Sequence, residues 1–399
     1  MRTDSPLVGI RVVEVGSFIA GPYCGQLLAD YGAEVIKIEP PRGGDPMRQW
    51  GTTPQEGRSL WWTVIGRGKK SVTLDLRTEE GQGILRRLVR RCDVLVENFR
   101  PGVMEAWGLG PDALLAEHPD LIYVRISAFG QTGPYRDRPG FGSVAEAMAG
   151  LRYLVGYPDR PPPRVGISIG DTLAGMFGAL GALLALRHRE VRGGGGQVID
   201  VAITEAVLAV LESVVAECSV AGVVRERSGS ILPGVAPSNL YQTRDGRWIV
   251  IAANADGVFQ RLCDAMGRPE WKTDPRYATH TARGRHQSEL DEAIAAWAHT
   301  RSSEELLDLL ARHAVPCGPV YSARDILQDP HFRERSLLEV PDPRYGAVVM
   351  QAPVPKMSRT PPGVRHPAPE LGEHTEEVLQ ELAGLAPEEI RRLRARGVL

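Results

Sequence analysis

From Val8 to Ala128 the chain alternates short apolar runs with stretches whose apolar residues recur at helical spacing. The runs predict strands over Gly9–Val15, Glu34–Glu39, Ser71–Leu76, Asp93–Glu97 and Leu121–Ala128. Between them, Pro22 suits the first turn of a helix reaching Tyr31, and helices are predicted over Glu79–Arg91 and Pro101–Glu117. Strands and helices alternating through short connections predict a mostly parallel sheet covered by helices. The fold class is therefore α/β, with a large Rossmann-like parallel-sheet domain. Ligands of such sheets bind at the carboxyl ends of the strands. Here those ends are Ser17–Pro22, Asn98–Gly102 and Phe129–Gly133.

Beyond this region the period lengthens. Phe141–Leu186 reads as helical, Gly193–Gly196 breaks it, Gln197–Ala202 reads as a strand, and a long apolar helix is predicted over Ile203–Val220. Asn239–Thr243 and Arg247–Ala253, joined by Arg244-Asp245-Gly246, form a hairpin signal. Helices over Val258–Met266, Ser288–Thr300 and Ser303–His313 complete a small α+β domain. Pro316–Pro369 is proline-rich and reads as extended linker, and Thr375–Leu382 and Pro387–Ala395 read as terminal helices.

Composition narrows the function. The 399 residues carry 47 Lys and Arg against 49 Asp and Glu, a net charge of −2 that gives no footprint for nucleic acid or an anionic membrane. The 44 Gly and 31 Pro are spread along the chain, which predicts many shaped loops rather than disorder. Five scattered cysteines, without CxxC, argue against a disulfide framework or zinc site and fit a reducing cytoplasm. The segment MRTDSPLVGI has no apolar core, so no signal peptide is expected. The apolar stretch Thr172–Leu186 is about 15 residues, short of the ~20 that span a bilayer, so a buried core helix and no membrane segment are expected. GxGxxG, GxxxxGK[ST] and HExxH are absent, the nine histidines are dispersed, and no metal site is expected.

Two motifs could carry chemistry. Gly166-Ile167-Ser168-Ile169-Gly170 matches the GxSxG elbow of serine hydrolases, which needs a strand before the serine and a helix at once after it. Pro161-Pro162-Pro163 sits where that strand should be, and the helix is predicted to start at Asp171. Asp171 follows this glycine-flanked loop and opens an almost wholly apolar helix. It can serve as an N-cap. It can also be a carboxylate nucleophile in a low-water pocket, already ionised at neutral pH and needing no partner base. The two roles are compatible, since a helix N-terminus stabilises an anion.

Several blocks of sequence share one resemblance. They are Val8-Gly9-Ile10-Arg11-Val12-Val13-Glu14-Val15, Ala20-Gly21-Pro22, Gly32-Ala33-Glu34-Val35-Ile36-Lys37-Ile38-Glu39-Pro40 and Lys69-Lys70-Ser71-Val72-Thr73-Leu74-Asp75-Leu76. Further on come Asp93–Gly102, Gly130-Gln131-Thr132-Gly133-Pro134 and Leu371-Gly372-Glu373-His374-Thr375. In this order and spacing they resemble family III CoA-transferases, of the formyl-CoA and carnitine-CoA transferase type, over nearly the whole chain. The resemblance implies an aspartate nucleophile, which falls on Asp171. The related α-methylacyl-CoA racemases pair that Asp with a His about thirty residues earlier, because moving a proton between two faces needs two acid/base groups. Phe141 stands at that place and supplies neither, which weighs against a racemase.

The resemblance also implies an architecture and partners. A large doubly wound domain is built from residues 1–205 and 346–399, with a small domain over 228–318 and linkers at 206–227 and 319–345. Two chains are expected to form a homodimer of interlocked rings, with Pro316–Pro369 as the crossing segment. Coenzyme A thioesters and small carboxylic acids enter as substrates, and no tightly bound cofactor is expected. The implied CoA contacts are Ile19, Ala20, Arg42, Arg67, Lys69, Asn98, Phe99, Arg100 and Phe141, under a pocket cover at Leu232–Ser238. Two positions depart from many relatives: Ala106 stands where an Arg is common, and Glu146 where a Gln is common. The stretches Gly140–Gly150 and Gly229–Tyr241 look most like members handling succinate, malate or citramalate, for which Arg152, Arg164 and Arg225 are candidate cations. The remaining alternatives are a serine-type acyl-CoA hydrolase using Ser168 and a non-catalytic CoA-binding protein.

Overall fold

The structure is a computed structural model and describes residues 5–53 and 58–399. Strands β1 (Arg11–Glu14), β2 (Glu34–Glu39), β3 (Lys69–Thr73), β4 (Val94–Glu97), β5 (Ile122–Ser127) and β6 (Val198–Ala202) form one sheet. Their order is β3-β2-β1-β4-β5-β6, and every pairing is parallel. Side chains alternate across it. Val13, Ile36, Leu95 and Tyr123 enter one core, while Val12, Val35, Val94 and Val124 enter the other. A sheet apolar on both faces must be covered on both faces.

The covers are helices from distant parts of the chain. In chain order they begin with α1 (Ala20–Asp30), α2 (Leu60–Ile65), α3 (Glu79–Val89), α4 (Val103–Ala106) and α5 (Pro111–Glu117). Next come α6 (Gly142–Met148), α7 (Leu151–Leu154), α8 (Ile169–Arg192), α9 (Ile203–Leu208) and α10 (Val214–Ala221), of which the short α7 and α10 bury no residue and are not part of the cover. Cys24 and Leu28 of α1 and Ala174 and Ala182 of α8 fill one core, and Ile84, Leu85 and Leu88 of α3 fill the other. The helix α8 is long and apolar enough to cross a membrane. Its Gly and Ala residues pack against α1 and β5 on one face, while Met176, Leu180, Leu183 and Leu184 stay exposed on another, so the helix is only partly the buried core helix expected. The expected helix over residues 203–220 is interrupted between α9 and α10, where Glu212 adopts φ +52°.

A second compact unit comprises Arg152–Arg164 and Glu217–Phe332. In it β7 (Ser238–Gln242), β8 (Trp248–Ala252) and β9 (Cys317–Pro319) form an antiparallel sheet, with β7 and β8 as the expected hairpin. Helices α11 (Asp256–Met266), α12 (His280–Arg285), α13 (Gln287–Ala298), α14 (Ser303–Arg312) and α15 (Ala323–Gln328) complete the unit. Tyr241, Ile249, Phe259, Leu290 and Leu306 make its core. The loop at 232–238 is held within this unit, where Gln287 accepts the Gly234 amide and Arg283 donates to the Ala236 carbonyl.

The chain then rejoins the first unit through α16 (Pro330–Arg335), the hairpin β10 (Leu337–Asp342) and β11 (Gly346–Gln351), and helices α17 (Thr375–Glu381) and α18 (Pro387–Ala395). The segment read as extended linker therefore holds regular elements. Prolines interrupt the periodicity by which short elements are recognised, yet Pro341 pairs in β10 because an edge strand tolerates a missing donor. Val378, Leu379, Ile390 and Leu393 join the α3 core, while the Thr73 amide donates to Thr375 Oγ1 and the Asp75 amide to the Val398 carbonyl. The tail thus shields the edge strand β3.

Charged residues break the apolar strands, Glu14 and Glu39 at the carboxyl ends of β1 and β2 and Lys69 at the amino end of β3. Glu14 is wholly buried and pairs with Lys37 at 3.0 Å and Lys69 at 2.7 Å. Lys37 also meets Asp45 at 2.8 Å, and Glu39 binds Arg48 and the Ser71 hydroxyl. Burial opposes the Lys37 charge, but Asp45, Glu14 and Glu39 outweigh it and raise its pKa. Removing one charge from a buried network strands its partners. Glu14→Gln should therefore lower the unfolding free energy by about 3–5 kcal/mol, read from urea denaturation. A loss below about 1 kcal/mol would show that the network does not hold the sheet together.

Candidate active site

The strand order reverses between β1 and β4, which opens a crevice at their carboxyl ends. The loop after β1 forms one wall. Asn98, just past β4, clamps that loop by accepting the Ser17 amide and donating to the Ser17 carbonyl, both at 2.8 Å. Lys37 donates to the Gly16 carbonyl, Lys69 donates to the Pro22 carbonyl, and Asp45 accepts the Phe18 amide at 3.2 Å. These bonds hold Phe18 at φ +65°, a strained conformation for a non-glycine residue.

Asp171 comes to the crevice on the first turn of α8. The helix begins at Ile169, two residues earlier than expected, so Asp171 is a first-turn residue and Ser168 is the N-cap. The positive end of the helix favours its anion. A Cβ on Gly142 would lie 2.7 Å from Asp171 Cγ and 3.0 Å from Oδ1, so the carboxylate rests against bare backbone of α6. One turn further along α8, Gly175 lets the helix approach α1, where a Cβ would lie 2.7 Å from the Ala20 carbonyl. The half-buried Asp171 is thereby seated against α6, while the next turn of α8 lies against the start of α1.

Aromatic rings and an apolar cavity adjoin this turn. Phe141 packs edge-on to Phe18 at 5.9 Å, Phe18 lies 5.3 Å from Trp50, and Trp50 lies 6.2 Å from Trp61. Phe141 is 67% exposed, a large apolar side chain left open beside the carboxylate. A mostly apolar cavity of about 680 Å³ is lined by Ile19, Trp61, Ile65, Ile167, Ser168 and Thr172, among others.

The structure separates the sequence-predicted contacts into two groups. Ile19, Ala20, Asn98, Phe99 and Arg100 gather at the crevice, and Phe141 adjoins it. Arg42 is exposed in the loop after β2. Arg67 and Lys69 are different. Arg67 is buried in a paired contact with Asp30 at 2.6 Å and donates to the Gln351 carbonyl, while Lys69 is wholly buried against Glu14. Their charges serve internal carboxylates. Arg225 pairs with Glu217. No strand precedes Ser168 among the described residues 155–168, so the elbow geometry of a serine hydrolase is missing.

Sequence reasoning passed over Glu97, at the end of β4. Burial pushes its pKa up to about 7, against the pull of Arg125 at 2.8 Å, and one oxygen accepts the Phe99 amide at 2.7 Å. A carboxylate closing an apolar strand was the available signal. Arg125 also meets Glu105 at 2.7 Å, next to Ala106 on α4.

Residues 7–375 match the profile of CoA-transferase family III. The chain belongs to this family. The transferase is 55% identical, over its whole length and 99% of the relative's, to a succinyl-CoA–D-citramalate CoA-transferase of Chloroflexus aurantiacus. It is 42% identical, over 99% of its length and 92% of the relative's, to the alpha subunit of a succinyl-CoA–L-malate CoA-transferase of Chloroflexus aurantiacus. Among solved structures, a CAIB/BAIF family protein from Brucella suis superposes with a TM-score of 0.84 at 34% identity, covering 95% of this chain and 100% of that one.

The raised Glu97 pKa has a consequence with a definite sign. The folded state holds a proton that the unfolded chain has released, so this contribution to stability is full below the ordinary carboxylate range and is lost as pH rises through about 7. Urea denaturation of the transferase should show this loss, on the order of 3 kcal/mol, between about pH 5 and pH 8. Glu97→Gln should flatten that dependence, and an unchanged slope would assign it elsewhere.

Proposed function

We propose that the transferase moves CoA from succinyl-CoA to a small dicarboxylic acid, with Asp171 as the covalent catalyst. The observation that carries this reading is the Asp171 carboxylate on the first turn of α8, against Gly142 and beside the crevice between β1 and β4. The 55% relative acting on D-citramalate and the 42% relative acting on L-malate support a dicarboxylate acceptor.

One Asp171 oxygen attacks the thioester carbonyl; the C–S bond breaks, CoA leaves as thiolate, and a mixed anhydride forms. The thiolate then attacks the Asp171 carbonyl and releases the donor acid, which carries away one aspartate oxygen and leaves an aspartyl-CoA thioester. The acceptor carboxylate attacks that thioester, giving a second anhydride and thiolate. Attack of this thiolate on the acceptor carbonyl forms the new acyl-CoA and restores Asp171. No proton is needed at any step, which suits a site whose nucleophile is an anion. Each intermediate reacts with water, and the partly open rings of Phe18, Phe141 and Trp50 offer apolar surface against which a bound thioester can exclude it.

Arg42 and Arg100 are the exposed cations at the strand ends for the CoA phosphates, with Ile19, Ala20, Asn98 and Phe99 along its path. Arg67 and Lys69 drop out because their charges are already matched inside the protein. We further infer a homodimer in a reducing cytoplasm. Met176, Leu180, Leu183 and Leu184 leave an apolar face of α8 open for a second copy, and all five cysteines are free thiols.

Succinyl-CoA incubated with citramalate, malate and monocarboxylic acids should yield new acyl-CoA products, followed by mass, only with the dicarboxylates. Asp171→Ala should lower turnover by about 10³-fold or more. Hydroxylamine should trap an Asp171 hydroxamate during turnover of the native enzyme. Full transfer by the Ala variant would overturn the mechanism, and hydrolysis that depends on Ser168 would favour a serine hydrolase.

A further inference from the structure

The first turn of α8 is held by a helix that has no part in the chemistry above. Gly142 and Glu146 are four residues apart on α6 and so lie on one face of it. Both meet α8, and the contact is reciprocal. Asp171 of α8 rests on the bare backbone of Gly142. Glu146 of α6 reaches Gly170, where a Cβ would lie 3.0 Å from Glu146 Cγ, and its Oε1 accepts the Gly170 amide at 3.1 Å. Each helix thus offers a glycine to the other's carboxylate.

Glu146 is completely buried. The Gly170 amide belongs to the first turn of α8, where backbone donors have no partner within the helix. Ser168, the N-cap residue, does not cap that turn with its side chain. The acceptor comes instead from α6, one residue away from Asp171. Because the same helix face carries Gly142, the bond to Gly170 sets both the position of the α8 turn and the depth at which the Asp171 carboxylate sits.

We infer that Glu146 is a positioning residue for the transfer reaction, clasping the Gly170 amide so that Asp171 is presented at one fixed place over Gly142. This rests on the reading of Asp171 as nucleophile. A side chain that only positions the reacting carboxylate should affect turnover more than thioester binding, and an error of about 1 Å in placing a reacting group costs up to 10²-fold in rate.

Glu146→Gln keeps an oxygen for the Gly170 amide and should retain turnover within about threefold. Glu146→Leu removes the acceptor at similar bulk and should lower kcat by about 10- to 100-fold while KM for succinyl-CoA changes by less than about threefold. Equal losses in the two variants, or a Leu variant with native kcat, would overturn the role. A second readout does not depend on Glu146 or on activity. Gly142→Ala should lower the thermal midpoint of the native protein but not that of Asp171→Ala, where the space is free; equal shifts would show that the Asp171 carboxylate does not sit on Gly142. Asp171→Asn is assayed beside these. If it transfers CoA at the native rate, the nucleophile reading itself fails, whereas an inactive Asn variant with a fully active Leu variant removes only the Glu146 proposal.

Discussion

The crevice depends on a buried set of charges at the ends of three adjacent strands. Glu14 holds Lys37 and Lys69 from the centre of the sheet, and Asp45 holds Lys37 from the loop after β2. Such a network is costly to desolvate, and replacing it with apolar side chains could leave the sheet as stable. What apolar side chains cannot do is donate. Lys37 and Lys69 bind the carbonyls of Gly16 and Pro22, and Asp45 takes the Phe18 amide. Groups anchored in the core thus fix the loop at Gly16 and Phe18 and the first turn of α1 at Pro22. That loop is one wall of the crevice, and its strain at Phe18 is carried by the same bonds.

The parallel sheet was legible because its strands are short apolar runs separated by helical spacing, and the alternation of Val12 with Val13 or Val94 with Leu95 fills two cores. The tail was less legible. The hairpin β10–β11 lies in a proline-rich stretch where edge pairing matters more than pattern, and α8 starts at Ile169 because the turn at Gly170 is stabilised from another helix. The site divides the same way. Asp171 stood out by its glycine-flanked, apolar setting, but single-sequence reasoning cannot distinguish a cation that meets a ligand from one that meets a buried carboxylate. Lys69 and Arg67 looked like phosphate ligands for that reason, and their partners Glu14 and Asp30 are distant in sequence.

Glycine has a specific use around Asp171. Gly142 makes room for its carboxylate, Gly170 brings an amide to Glu146, and Gly175 lets α8 close on α1. The excess of glycine read from composition as shaped loops is, at these positions, a way of bringing helix backbone close to a side chain or to a neighbouring backbone. Membership of CoA-transferase family III accounts for the scaffold. In the proposed mechanism, the seating of Asp171 connects that scaffold to an acyl transfer in which the enzyme exchanges its own oxygen with the substrates.

That exchange is the most direct test of the account. The transferase is given unlabelled succinyl-CoA and an acceptor dicarboxylate whose carboxylates carry heavy oxygen, and the Asp171 peptide and the released succinate are weighed. If Asp171 forms both anhydrides, heavy oxygen enters the Asp171 carboxylate from the acceptor and passes in later turnovers to the succinate, with none drawn from water. Unlabelled Asp171 and unlabelled succinate, alongside new acyl-CoA, would contradict it.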